Sequence, residues 1–131
     1  MSNPRPLLNA LLAFDSATCA LMGAGLAIGA SFLAAPLGLP LPFLAAAGAA
    51  LIGFALLLGW MASRNPVPPA LVALVIGGNL GWSAASLLLV VERIVPLTPL
   101  GTAFVIAQAL AVIVIAAGEY VGLRRMPAMG R

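Results

Sequence analysis

Four long apolar segments, separated by short stretches that contain proline, run through this chain of 131 residues. A helix that crosses the ~30 Å hydrocarbon core of a bilayer needs about 20 apolar residues, and each segment meets that requirement. The prolines lie between the segments, where they interrupt helices at little cost. The predicted spans lie at about 12–35, 43–62, 70–91 and 100–123. The sequence therefore predicts an all-α, polytopic membrane protein with a single transmembrane domain over residues 1–131.

Composition supports this class and excludes several others. Hydrophobic residues make up 63% of the chain and charged residues 7%, whereas about a quarter of an ordinary soluble domain is charged. The six basic residues are all arginine and form no cluster beside aromatic residues, so we expect no nucleic-acid partner. With one cysteine, Cys19, and no histidine, we expect no disulfide, no metal site and no cofactor. No catalytic motif is present either, and we do not expect an enzyme.

The arginines predict an orientation in the membrane. Four spans put the N-terminus, the 63–69 loop and the C-terminus on one side, and Arg93 beside Glu92 on the other. The arginines on the first side are Arg5, Arg64, Arg124, Arg125 and Arg131. Since cytoplasmic loops carry the excess of basic residues, both termini are expected in the cytoplasm. The short loops make consecutive helices antiparallel neighbours, which predicts an up-down-up-down four-helix bundle.

Four polar residues within the spans form the candidate polar or ion site: Asp15, Asn79, Gln108 and Glu119. Ionisable groups are costly inside a membrane and are functional candidates for that reason. Asp15 either caps its helix at the headgroup boundary or, if the helix starts near Leu7, lies more than two turns inside it. Glu119 either pairs with an arginine at the cytoplasmic surface or approaches Asp15, because spans one and four reach the same leaflet at these positions.

The polar residues of spans three and four suggest a contact between these helices. Asn79 lies near the middle of span three, and Gln108 has a compatible depth on span four. An amide inside the bilayer needs a hydrogen-bonding partner, so we expect these two side chains to bind each other.

Small residues predict two faces for helix packing. Gly25 and Gly29 are spaced as a G-x-x-x-G pair on span one, which allows close approach of another helix. Gly77, Gly81 and Ala84 lie on span three opposite Asn79. This second face predicts contact with another copy of the chain or with a larger membrane-protein complex.

Three short motifs resemble those of a group of small four-span bacterial membrane proteins. They are the aspartate of span one, the stretch Gly78-Asn79-Leu80-Gly81-Trp82, and the closing Glu-Tyr-x-Gly-Leu-Arg-Arg from Glu119 to Arg125. The resemblance covers most of the chain. It implies a protein of the bacterial inner membrane and brings no biochemical activity with it.

Two functional hypotheses follow from the sequence. The first is a non-catalytic accessory, assembly or self-associating subunit that packs through its small-residue faces, with lipid and membrane proteins as its partners. The second is a small proton- or cation-coupled transporter that uses Asp15 and Glu119. We favour the first from sequence, because it requires no aqueous route through four largely apolar helices.

Overall fold

The structure, a computed structural model, describes residues 4–64 and 66–125 and contains five helices in these ranges. They are α1 (Pro4–Ile28), α2 (Ala30–Leu37), α3 (Leu41–Ala62), α4 (Pro69–Val91) and α5 (Pro99–Arg124). All except α2 are long and apolar enough to cross a membrane. The predicted all-helical fold with four candidate membrane spans is thereby confirmed, and four such helices are consistent with an integral membrane protein. Of the arginines used to predict orientation, Arg131 lies outside the described residues.

The first apolar stretch forms two helices, where the sequence suggested one span at 12–35. The chain bends at Gly29, and a Cβ atom at this position would lie only 2.7 Å from the carbonyl oxygen of Gly25. The short helix α2 then ends at Gly38, whose φ of 72° is left-handed and favours glycine. The candidate span of this stretch is Leu7–Ile28. Asp15 therefore lies more than two turns from either end of α1.

Helices α1 and α3 pack against each other along most of their lengths. Asn9 Nδ2 donates a hydrogen bond to the carbonyl oxygen of Ala62 at 2.7 Å, and Ser16 Oγ donates one to that of Ala55 at 2.8 Å. Further along, Gly23 and Gly48 bring the two backbones together, since a Cβ on Gly48 would lie 2.6 Å from the oxygen of Gly23. These contacts follow opposite directions along the two helices.

The second pair, α4 and α5, joins the first through α5. A Cβ on Gly118 or Gly122 would lie 3.3 or 3.1 Å from the leucine side chain that it faces on α1. At the other end of α5, the Thr98 N–H donates to the Leu37 carbonyl at 3.2 Å. Gly101 packs so tightly on the same carbonyl that no Cβ would fit. Glycines thus allow α5 to lie close to the α1–α2 segment at two levels.

Two apolar clusters fill the two ends of the bundle. The arginine end, where α3 ends two residues before Arg64 and α5 ends at Arg124, is filled by one buried cluster. Its members are Leu8, Leu12, Leu58, Met61, Val67, Val72 and Val75. The loop end, beside the 37–40 and 96–98 loops, is filled by the other cluster of Leu26, Ala30, Leu37, Leu39 and Leu44. The buried polar side chains lie between them, in the middle of the bundle.

Substitution of Gly48 by Ala should destabilise the protein by about 1–3 kcal/mol, because the added methyl group would force the α1 backbone away. Gly53→Ala on the same helix is the matched control, since a Cβ there meets no atom within 4 Å. Thermal unfolding in detergent measures both. Equal melting temperatures for the two variants would contradict the close α1–α3 approach.

Candidate functional site

Three polar side chains from three helices meet in the middle of the bundle. Asn79 Nδ2, on α4, donates a hydrogen bond to Asp15 Oδ2 on α1 at 3.1 Å and another to Glu119 Oε1 on α5 at 2.9 Å. Because one nitrogen binds both carboxyls, the distance between Asp15 Oδ2 and Glu119 Oε1 cannot exceed the sum of these two bond distances. We call Asp15, Asn79 and Glu119 the carboxyl cluster.

The carboxyl cluster is almost completely buried. The exposed fractions are 3% for Asp15, 5% for Asn79 and 0% for Glu119. Cys19 Sγ, one turn from Asp15 on α1, donates to Asp15 Oδ1 at a long 3.5 Å. Glu119 Oε2 has no hydrogen-bonding partner among the described residues. Burial of a polar group without a partner costs free energy, which distinguishes Glu119 from the other buried polar side chains of the bundle.

Helix packing explains how residues distant in sequence reach this point. Gly118 and Gly122 flank Glu119 and allow α5 to approach α1, so the glutamate points inward beside Asp15. On α4, the buried positions Val72, Val75, Asn79 and Ser83 recur at helical spacing and form one stripe. The stripe faces α5 at Ser83, whose Oγ donates to the Ala109 carbonyl at 3.0 Å.

Gln108 belongs to a second polar group, closer to the loop end. Its Oε1 accepts a hydrogen bond from Trp82 Nε1 at 2.8 Å, and its Nε2 donates to Ser86 Oγ at 3.0 Å. The expected hydrogen bond between Asn79 and Gln108 is not formed. Gln108 lies level with Trp82 and Ser86, which follow Asn79 on α4 by one and two turns. The asparagine binds the two carboxyls instead.

Two alternatives left open by the sequence are also resolved. Asp15 caps no helix, because it lies in the interior of α1. Glu119 forms no ion pair with Arg124 or Arg125, the two arginines after it that the structure describes: Arg124 Nη1 donates instead to the Tyr120 hydroxyl at 2.8 Å. Its guanidinium also lies over that ring, 5.7 Å from the centroid. Of the two alternatives for Glu119, the structure shows its approach to Asp15.

The predicted packing residues lie on the outside of the chain, with one exception. Gly25, Gly77, Gly81 and Ala84 are exposed, and a Cβ on any of the three glycines meets no atom within 4 Å. Gly29 is partly buried and forms the bend after α1. The close approach inside the chain uses Gly23 and Gly48, which sequence reasoning missed. The spacing of small residues does not reveal which of several glycine faces meets the neighbouring helix.

A cavity of about 490 Å³ opens beside the carboxyl cluster. Asp15, Asn79 and Gln108 line it, together with a mainly apolar wall. The apolar and aromatic part of the wall includes Phe14, Met22, Leu51, Phe54, Trp82, Val112 and Ile115. A second cavity of about 200 Å³ continues toward the loop end and shares Met22, Leu51, Trp82 and Gln108 with the first. Glu119 lies behind Asp15 and Asn79 and does not line either cavity.

The larger cavity reaches the outer surface of the bundle between α3 and α4. Ala50 and Gly78 line it and are themselves exposed, and the Phe54 ring lies 4.0 Å from the position of a Cβ on Gly78. These two helices have few contacts with each other, apart from the apolar cluster at the arginine end. The cavity is therefore accessible from the side of the bundle, between α3 and α4.

Metal binding is not indicated for the part of the chain that the structure describes, where no group of three or more metal-ligating acids and thiols comes together. Comparisons with models of protein families, with curated proteins and with solved structures find no match for this chain. Functional proposals therefore depend on the geometry of the carboxyl cluster and of the cavity.

Replacement of Asn79 by Leu should cost about 1–3 kcal/mol of stability, because two buried carboxyls lose their common donor. The same replacement should cost much less in a protein that also carries Asp15→Asn and Glu119→Gln, whose amides supply donors of their own. Thermal unfolding in detergent measures the difference. Asn9→Leu, which removes an asparagine at the arginine end, is the control and should cost the same in both backgrounds. Equal costs of Asn79→Leu in the two backgrounds would contradict the shared hydrogen bonds.

Proposed function

We propose that this protein is a small proton-coupled transporter, with the solute bound in the cavity between the helices and the carboxyl cluster as the proton-binding site. One observation supports the proposal above all others. Two buried carboxyls from different helices share a single amide donor at the wall of a cavity of about 490 Å³. Cavities of ~300–1,000 Å³ are typical of small-molecule sites.

The chemistry of the cluster explains why a proton and a solute would compete. Two ionised carboxylates that bind one amide nitrogen lie close enough to repel each other strongly in a medium of low dielectric constant, and a shared proton removes the repulsion. Asp15 lines the cavity and can meet a solute, whereas Glu119 is shielded behind it. A solute that binds the Asp15 carboxylate from the cavity displaces the shared proton, and return of the proton displaces the solute. When the cavity opens alternately to the two sides of the membrane, the movement of the solute is coupled to the movement of the proton.

This proposal favours the second of the two hypotheses drawn from the sequence. An accessory role gives no reason to bury two acids beside a cavity, since buried charged groups cost stability unless they are fully paired. The proposed role is non-catalytic. Besides apolar groups, the cavity wall presents a carboxylate, two amides, the Thr18 hydroxyl and the Cys19 thiol, and the thiol donates its proton to a hydrogen bond with Asp15.

The orientation predicted from the arginines is part of the proposal. We place the four long helices in an up-down-up-down bundle in the inner membrane of a bacterium, with both termini in the cytoplasm. The described part of the chain supports this placement, because Arg64 just after α3 lies over Trp60 and Arg124 at the end of α5 lies over Tyr120, as in the aromatic belt of an interface.

A green fluorescent protein fused after Arg131 should fluoresce, since it folds only in the cytoplasm. Alkaline phosphatase inserted after Arg93 should be active, because it requires the oxidising periplasm. The reverse pattern would contradict the orientation.

Transport should depend on both acids of the carboxyl cluster. In proteoliposomes on a solid-supported membrane, a panel of small solutes is applied under a pH gradient and the current is recorded. At least one solute should produce a current that disappears in Asp15→Asn and in Glu119→Gln. Glu92→Gln is the control, because Glu92 is exposed in the loop after α4 and should leave the current unchanged. No current with any solute, or an unchanged current in both variants, would refute the proposal.

A second candidate function, an accessory or self-associating subunit, is supported by the exposed face of α4. Gly77, Gly81 and Ala84 remain uncovered in the single chain, and such small residues allow close helix approach in membranes. Photoreactive residues at Gly77 and Gly81 should then crosslink to one defined protein in native membranes. A photoreactive residue at the exposed Leu56 of α3 is the control. Adducts with lipid alone would exclude this role.

A further inference from the structure

The cavity combines an acidic group with aromatic and apolar walls. Asp15 is the one carboxylate that lines it, and no arginine lies among its described lining residues. Phe14, Phe54 and Trp82 contribute aromatic rings to the same wall. A negative group without a basic partner favours a cation, and aromatic rings attract cations through their faces.

We propose that the solute is a protonated lipophilic amine, an ammonium ion that carries N–H bonds and a single aromatic or alkyl group. This inference rests on the proposed function, because it names the chemical class of the solute for the same cavity. The carboxylate would bind the ammonium head, and the apolar wall would cover the remainder of the molecule.

The hydrogen bonds of Asp15 argue for an ammonium with N–H donors. Among the described residues, Asp15 Oδ2 accepts one bond from Asn79, and Oδ1 accepts only the long bond from the Cys19 thiol. An ionised carboxyl has about four acceptor positions, so at least one remains open toward the cavity. A quaternary ammonium ion cannot donate to it, and a neutral alcohol lacks the charge that makes such a bond strong.

The exchange with the proton balances in atoms and charge. In the empty site the two carboxyls hold an acidic proton. As the ammonium ion binds, one carboxyl O–H bond breaks, the proton leaves to the aqueous phase, and the positive charge of the ammonium replaces it. Glu119 on α5 and Cys19 on α1 are the titratable groups that face Asp15 among the described residues. The residues of α3 and α4 that line the cavity carry no titratable group.

The shape of the cavity restricts the lipophilic group and its route. A single carboxylate faces the cavity, which favours one ammonium over a polyamine. The opening between α3 and α4 at Gly78 faces the bilayer, where a lipophilic amine concentrates. Such an amine can reach Asp15 from the membrane by passing the Phe54 ring.

Binding of three matched probes to the purified full-length protein in detergent tests the inference. The probes are 2-phenylethylammonium, its N,N,N-trimethyl analogue and neutral 2-phenylethanol. Calorimetry should show that the primary ammonium binds at least about tenfold more tightly than either analogue, as expected for a hydrogen bond between two charged groups. Binding should release protons, measured as a dependence of the heat on the ionisation enthalpy of the buffer. Equal affinity for the three probes would overturn the inference, and so would binding without proton release.

Substitutions connect the binding to the cavity. Asp15→Asn should abolish binding of 2-phenylethylammonium. Gly78→Leu narrows the opening and should slow association at least severalfold, whereas Gly77→Leu is the control, because Gly77 is adjacent but does not line the cavity. Unchanged binding in Asp15→Asn, or equal association rates in the two leucine variants, would overturn the inference.

The two proposals fail in different ways. If the ammonium probe binds as described but drives no current in proteoliposomes, the inference stands and the transport function fails. If other solutes drive currents that depend on Asp15 while the probe does not bind, the transport function stands and the inference fails.

Discussion

One side-chain nitrogen holds the centre of this protein together. Asn79 Nδ2 binds carboxyls from α1 and α5 at once, so three of the four long helices meet at a single amide. In the low dielectric of a membrane, the two acids would repel each other without a common donor. The wall of the cavity and the proposed coupling depend on this arrangement, while Gly118 and Gly122 allow the close approach of α5 to α1.

The apolar ends of the bundle contribute mainly to stability, whereas the polar middle contains the candidate binding site. The arginine-end and loop-end clusters bury side chains such as Met61 and Leu44 and hold the helices at both ends. The middle lacks this dense packing between α3 and α4 and contains the cavity. Stability is thus concentrated away from the cluster, which leaves the centre free to bind and release a small molecule.

The sequence predicted the helices well because the bilayer restricts them so strongly. Span length and the positions of prolines were sufficient to find α3, α4 and α5 close to their observed ends. The first span was less well predicted, since an apolar run longer than the bilayer requires contains no signal for where the helix bends. Gly29 interrupts it by backbone geometry that Gly25, four residues earlier, does not share.

The sequence identified the residues of the candidate site but only some of the contacts between them. Asp15, Asn79 and Glu119 were identified because polar groups are rare and costly in such a chain. Their partners depend on helix register, and a shift of one turn decides whether Asn79 meets Gln108 or the two acids. Hydrophobic periodicity is too weak to fix that shift in helices that are apolar on every side.

The contact between α2 and the start of α5 has a consequence for how the chain can evolve. The Leu37 carbonyl receives the Thr98 N–H, and Gly101 packs on it so closely that no side chain fits. An insertion in one loop would move either the Leu37 carbonyl or the segment from Thr98 to Gly101, and the contact between them would be lost. The 37–40 and 96–98 loops can therefore change in length only together.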